Sequence, residues 1–175
     1  TTDENGKFEV DVQNLVAPYM LKTTTANNID LFSLALSEGT ANIHPLTDLV
    51  SRNFFAGESG NIETEFNNDT SLTVIPTNVN ISAISTAIEN LFSASYQDYA
   101  VPNGFDCLKS DFDANQLAFD SLLDQLQINY ESNNFTVNLA DQSTNISTNI
   151  VVNLNINVDL TQADTEKPTT PLSIN

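Results

Sequence analysis

The apolar period of this chain changes twice along its length, and that limits the folds open to it more than any motif does. Residues 7–36 alternate with a period of two, in runs at 8–12, 19–24 and 29–36, with Asn27 and Asn28 as the turn between the last two. From Pro45 the spacing becomes helical. Leu46, Leu49, Val50, Asn53 and Phe54 share a face, and Gly57 and Gly60 close the segment. Residues 78–96 set Val79, Ile81, Ile84, Ile88, Leu91 and Phe92 largely along one stripe. A further helix is expected over 113–127, with Asp113 as N-cap, burying Leu117, Phe119, Leu122, Leu123 and Leu126. The period of two then returns at 128–130 and 135–139, around Ser132, Asn133 and Asn134, and in a long strand over 149–160.

Strands, then helices, then strands predict an α+β fold, with about three helices packed on a small, mainly antiparallel sheet formed by N- and C-terminal strands. Residues 1–38 read as hairpin or sandwich-like strands. Residues 39–160 read as a helical region plus C-terminal strands, in one domain with the first segment, and the Pro/Thr-rich residues 161–175 as a linker. The turn at Asn5 and Gly6, so near the start, and the linker at the far end read as cut or processing points in a longer protein.

Charge narrows the partners. Across 175 residues, 23 acidic side chains against 5 basic ones give a net charge of -18. Such a chain repels phosphate backbones and anionic membrane surfaces, so no nucleic-acid partner is expected. Cationic partners and divalent ions stay open. One Cys and one His cannot build the common zinc sites or an iron–sulfur cluster, and a lone Cys forms no internal disulfide. No apolar run approaches the roughly 20 residues of a membrane-spanning helix.

Candidate sites each have a plain structural alternative. His44, the one imidazole, sits directly before a helix start, where its ring can cap backbone. Cys107 lies in a semi-apolar run with only Lys109 near it, a poor setting for an activated thiolate. Carboxylate pairs such as Glu63 with Glu65 or Asp111 with Asp113 occur by chance in so acidic a chain. Calcium is the cofactor the composition best allows, since it takes hard oxygen ligands. Asp111, Asp113 and Asn115 occupy the first three alternate positions of an EF-hand loop, but Gln116 stands where the turn Gly belongs and Leu122 where the bidentate Glu belongs. Asp3 and Asn5, beside Gly6, make a second weak candidate and equally a hairpin turn. In residues 149–160 apolar side chains alternate with Asn153, Asn155, Asn157 and Asp159, so the strand is either an ordinary final strand or an edge that pairs with a neighbouring subunit. Four Asn-X-Ser/Thr triplets, at Asn68, Asn80, Asn134 and Asn145, are no more than a chain with 24 Asn yields by chance.

Three local patterns carry a resemblance. Residues 2–8 followed by Tyr19, Met20, Leu21 and Lys22 resemble the last strands of the carboxypeptidase-regulatory-like, or collagen-adhesin B-type, repeats of bacterial surface proteins. Residues 39–50, Gly104-Phe105-Asp106 and residues 119–126 are similar to a helical region that follows such repeats in secreted proteins. Residues 164–172 are similar to the lead-in of a fibronectin type III module. The resemblance implies a segment of a modular, secreted or surface-anchored bacterial protein, with no catalytic residues to carry over. An intramolecular isopeptide, known in the sandwich family, would need Lys7 or Lys22 beside a buried acid. The expected function is therefore a non-enzymatic extracellular scaffold or adhesion module whose partner is a protein or glycan on a surface. The alternatives are a filament subunit that binds copies of itself by strand addition, and a carbohydrate-binding module using Tyr96, Tyr99 and Phe105 as stacking surfaces.

Overall fold

The computed structural model describes residues 2–3, 5–58, 61–68, 74–131, 134–141, 146–153 and 171–174. The fold is α+β. Its first sheet grows from the hairpin expected around Asn27 and Asn28. Strand β1 (Tyr19–Thr24) pairs antiparallel with β2 (Asp30–Ala35), from Tyr19 opposite Ala35 to Thr24 opposite Asp30. Asn28 takes the left-handed φ of 58° that the turn needs, a conformation Asn tolerates better than most residues. Met20, Phe32 and Leu34 point into the main core, whereas Tyr19, Leu21 and Ser33 are buried on the opposite face.

Helix α1 (Pro45–Glu58) is the hub. The sequence predicts an amphipathic helix, but α1 is buried nearly all round: Leu46, Leu49, Val50, Phe54 and Phe55 enter the core, and Thr47, Asp48, Ser51 and Asn53 are buried too. The polar face is buried because it closes the free edge of β2. Asp48 Oδ1 accepts the Phe32 backbone N–H at 2.9 Å, Thr47 Oγ1 reaches the Phe32 carbonyl at 3.2 Å, and Arg52 Nη2 donates to the Asp30 carbonyl at 3.2 Å. An open strand edge is a template for aggregation, and these side chains occupy it. Arg52 also binds Asp48 Oδ2 at 2.9 Å and Glu63 Oε1 at 2.6 Å, tying α2 (Ile62–Phe66) to α1.

Helix α3 (Asn78–Leu91) is capped by Thr77, whose Oγ1 accepts the Asn80 N–H at 3.3 Å, and it buries Ile81, Ile84 and Ile88 against α1. Val79 stays 57% exposed, because two helical residues from Ile81 is about 200° around the axis. The helix expected to run to residue 96 breaks at buried Phe92 into α4 (Ser93–Asp98). The third expected helix also starts later. Helix α5 spans Ala118–Gln125, and Asp113 is not its N-cap. Positive φ at Gln116 (59°) and Ala118 (47°) interrupts a continuous helix, and Asn115 Oδ1 and Asp120 Oδ2 accept the N–H groups of Leu117 and Gln116.

Strands β3 (Leu126–Glu131), β4 (Asn134–Asp141) and β5 (Ile146–Asn153) form a separate antiparallel sheet in the order β3-β4-β5, with Glu131 opposite Asn134; Ser132 and Asn133, read as part of a hairpin signature, lie outside the described residues. Strand β6 (Pro171–Ile174) joins the first sheet parallel to β1, giving the order β2-β1-β6. Residues 8–12, expected as a strand, belong to no sheet among the described residues. Alternation of apolar and polar residues does not by itself supply a partner strand. The expected strand over 149–160 is described only to residue 153, and its remainder lies outside the described residues.

Candidate functional site

His44 joins α1 to the loop that follows α4. Its Nδ1 accepts the N–H groups of Leu46 at 3.2 Å and Thr47 at 3.3 Å, while its own N–H donates to Thr47 Oγ1 at 3.0 Å. This is the reciprocal logic of a capping box, with His in the place of Ser or Thr. With Nδ1 accepting, the proton resides on Nε2, which donates to the Cys107 carbonyl at 2.8 Å. Asn42 Nδ2 donates to the same carbonyl at 3.2 Å and to the Ser110 carbonyl at 2.9 Å. Burial pushes the imidazole pKa down to about 4, against the opposing pull of the Cys107 carbonyl. The ring packs edge-on to Phe119 at 5.1 Å and Phe112 at 6.0 Å, within an aromatic cluster that also holds Phe105, 4.3 Å from Phe119, and Tyr96 at 5.9 Å. Both ring nitrogens are thus committed to backbone.

Beneath this cap, Glu89, Asp106 and Cys107 bring their ligand atoms within 4.8 Å of one another. Ser85 Oγ donates to Glu89 Oε1 at 3.1 Å and lies 3.7 Å from Cys107 Sγ. Burial pushes the thiol up to about 12, and the acids Glu89 and Asp106 add to the rise. Burial raises the Glu89 carboxyl as well, against hydrogen bonds from Ser85 and Cys107. The Tyr96 hydroxyl is shielded from solvent and has no hydrogen-bond partner among the described residues, and burial drives its pKa up too. Two carboxyls and a protonated thiol make a poor calcium site, because calcium takes six to eight oxygens. Nothing in the local sequence announces this node; the one signal is the spacing of Ser85 and Glu89 on a helix, which places them one turn apart.

An open groove of about 1130 Å3 lies between the N-terminal segment, the face of the first sheet turned away from the main core, residues 37–43, and Asp111, Phe112 and Ala114. Three of the calcium candidates converge here, since Asp3, Asn5 and Asp111 all line it. Asp3 is a turn residue: its Oδ1 accepts the N–H groups of Asn5 at 2.8 Å and Lys7 at 2.9 Å, with Gly6 at a φ of 76°. Asp111 Oδ1 accepts from Thr40 Oγ1 at 3.4 Å. Asp113 and Asn115 are exposed and line no part of the groove, Asn115 being spent on the Leu117 N–H. Glu9, Asp11 and Glu38 also line it, with Lys7 as the one basic residue. Sequence reasoning missed these three; the signal was the alternation of Glu9 and Asp11 with Phe8, Val10 and Val12.

The remaining candidates have other tasks. Glu63 is held by Arg52, and Glu65 is buried. Lys22 pairs with Asp30 at 2.7 Å, and Lys22 and Thr24 together hold that carboxyl below its ordinary range. Tyr96, Tyr99 and Phe105 are packed against the core. Asn153 ends β5, while Asn155, Asn157 and Asp159 lie outside the described residues. No helix among the described residues is long and apolar enough to cross a membrane. No protein-family model, curated protein or solved structure matches the chain.

Proposed function

We propose that the chain is a non-enzymatic extracellular scaffold or adhesion module of a bacterial surface protein, one that holds a protein or glycan partner and does not convert it. The observation that carries this reading is the make-up of the groove. Its lining sets apolar side chains beside five carboxylates and a single lysine, and the one imidazole and the one thiol of the chain lie elsewhere, in structural roles. The -18 charge and the amide-rich surface suit an exposed setting.

A filament subunit is the second reading. It draws on β5, which ends its sheet and pairs with β4 alone among the described strands. The net charge works against self-association at low salt.

Immobilised chain is screened against glycan and peptide arrays, and against chromogenic ester, glycoside and phosphate substrates. Saturable binding that falls on the double substitution Glu9→Gln/Asp11→Asn, without turnover, supports the reading. Turnover abolished by Asp111→Asn or His44→Gln would overturn it.

A further inference from the structure

Residues 8–12 belong to no helix or sheet among the described residues, and their backbone is unpaired. Among the described residues no backbone hydrogen bond engages Phe8, Glu9, Val10 or Asp11, and Val12 uses only its carbonyl, which accepts the Leu15 N–H at 2.9 Å. In the neighbouring sheet α1 side chains occupy the outer edge of β2, and the other edge of β1 is taken by β6, the outermost strand on that side. All five of these residues line the groove, opposite the half-buried Ala35, Ile43 and Phe112. Glu9, Asp11, Glu38 and Asp111 stand around it, and among the described residues none of them has a lysine or arginine as salt-bridge partner; Lys22, Arg52 and Lys109 pair elsewhere. Lys7 is the one basic residue in the lining, so the groove offers unused backbone donors and acceptors, apolar side chains and a net negative charge.

We propose that the groove is the docking site for an extended basic peptide segment, which adds as a strand along residues 8–12 and sets lysine or arginine side chains against Glu9, Asp11, Glu38 and Asp111. The inference rests on the binding-module reading and names its partner class. Backbone pairing supplies affinity, and the alternation of the added strand supplies specificity, with one set of side chains on the apolar residues of the lining and the other on the acids. A second copy of this chain is a poor occupant because its charge has the wrong sign.

The test is fluorescence anisotropy with the whole chain and a labelled nonapeptide of alternating lysine and valine. A strand paired on one side uses only every second N–H. Of two peptides N-methylated at odd or at even amides, one should therefore bind at least about tenfold more weakly and the other near normally. Glu9→Gln/Asp11→Asn should weaken binding severalfold, and a glutamate–valine peptide should not bind. Equal binding of the two methylated peptides would mean charge without strand pairing and would overturn the proposal. Light scattering that grows with concentration, and is suppressed by the peptide, would assign the groove to a second copy and overturn it as well. Glycan binding without peptide binding would overturn the strand proposal while leaving a binding module; no binder of either kind would overturn both. Both substituted side chains are exposed, and far-UV circular dichroism checks that the variant keeps its fold.

Discussion

His44 offers an internal reporter, because it is the single imidazole of the chain and is only 5% exposed. Its pKa falls from an ordinary 6.5 to about 4 in the fold, chiefly through desolvation. The unfolded chain therefore takes up a proton near pH 6.5 that the folded chain refuses until about pH 4. Stability is unaffected by this group above pH 6.5, declines as pH falls through that window, and has lost the full amount below pH 4. Each pH unit of displacement is worth about 1.4 kcal/mol, so the full loss is about 3 kcal/mol. Urea unfolding at pH 7 and pH 4.5, on the wild type and on His44→Asn, isolates it. Asn keeps a side chain able to cap α1 but does not titrate, and Asp30 and Glu89 titrate in both proteins. The advantage of wild type over variant should shrink by about 2.5 kcal/mol between the two pH values. In parallel, the single imidazole Hε1 resonance should titrate with a midpoint near 4. A midpoint near 6.5 in the folded chain, or parallel stability curves, would refute the buried neutral cap.

Three further outcomes follow from the core. Asp48→Ala strips the β2 edge of its acceptor and leaves Arg52 short of a buried partner, and should cost about 3 kcal/mol by chemical denaturation. Cys107, fully buried with its thiol pushed up to about 12, should resist a thiol-specific reagent in the native chain and react stoichiometrically once urea unfolds it; rapid native labelling would contradict its burial. Phe119→Ala removes the ring that Tyr96, Phe105, Phe112 and His44 share, and should cost about 3–5 kcal/mol, read as a large fall in melting temperature.

Local chemistry was legible in the sequence wherever neighbours in the chain decided the outcome. The turn at Asn27 and Asn28 fixed the β1–β2 register, Thr77 and the isoleucines of α3 set that helix, and a His before Pro45 could be read as a cap. Features decided by distant residues could not be read. The burial of Asp48 and Arg52 depends on a strand edge that the linear pattern of α1 does not contain. Asp113 looked like a helix cap, but the positive φ values at Gln116 and Ala118 moved the helix start, and no local signal of Gly or Asn at those positions warned of it. The carboxyl–thiol node forms because His44 and Asn42 hold the Cys107 carbonyl from across the fold. The groove was half visible: Asp3, Asn5 and Asp111 stood out as oxygen ligands, while Glu9 and Asp11 were absorbed into a strand pattern whose missing partner only the fold reveals.

Hydrogen exchange at the amides of residues 8–12 tests the groove most directly. With no backbone partners among the described residues, these amides should exchange within the dead time of a manual experiment, and a saturating lysine–valine peptide should protect alternate ones among them. Protection already present in the free chain, or exchange unchanged by the bound peptide, would contradict strand docking at this groove.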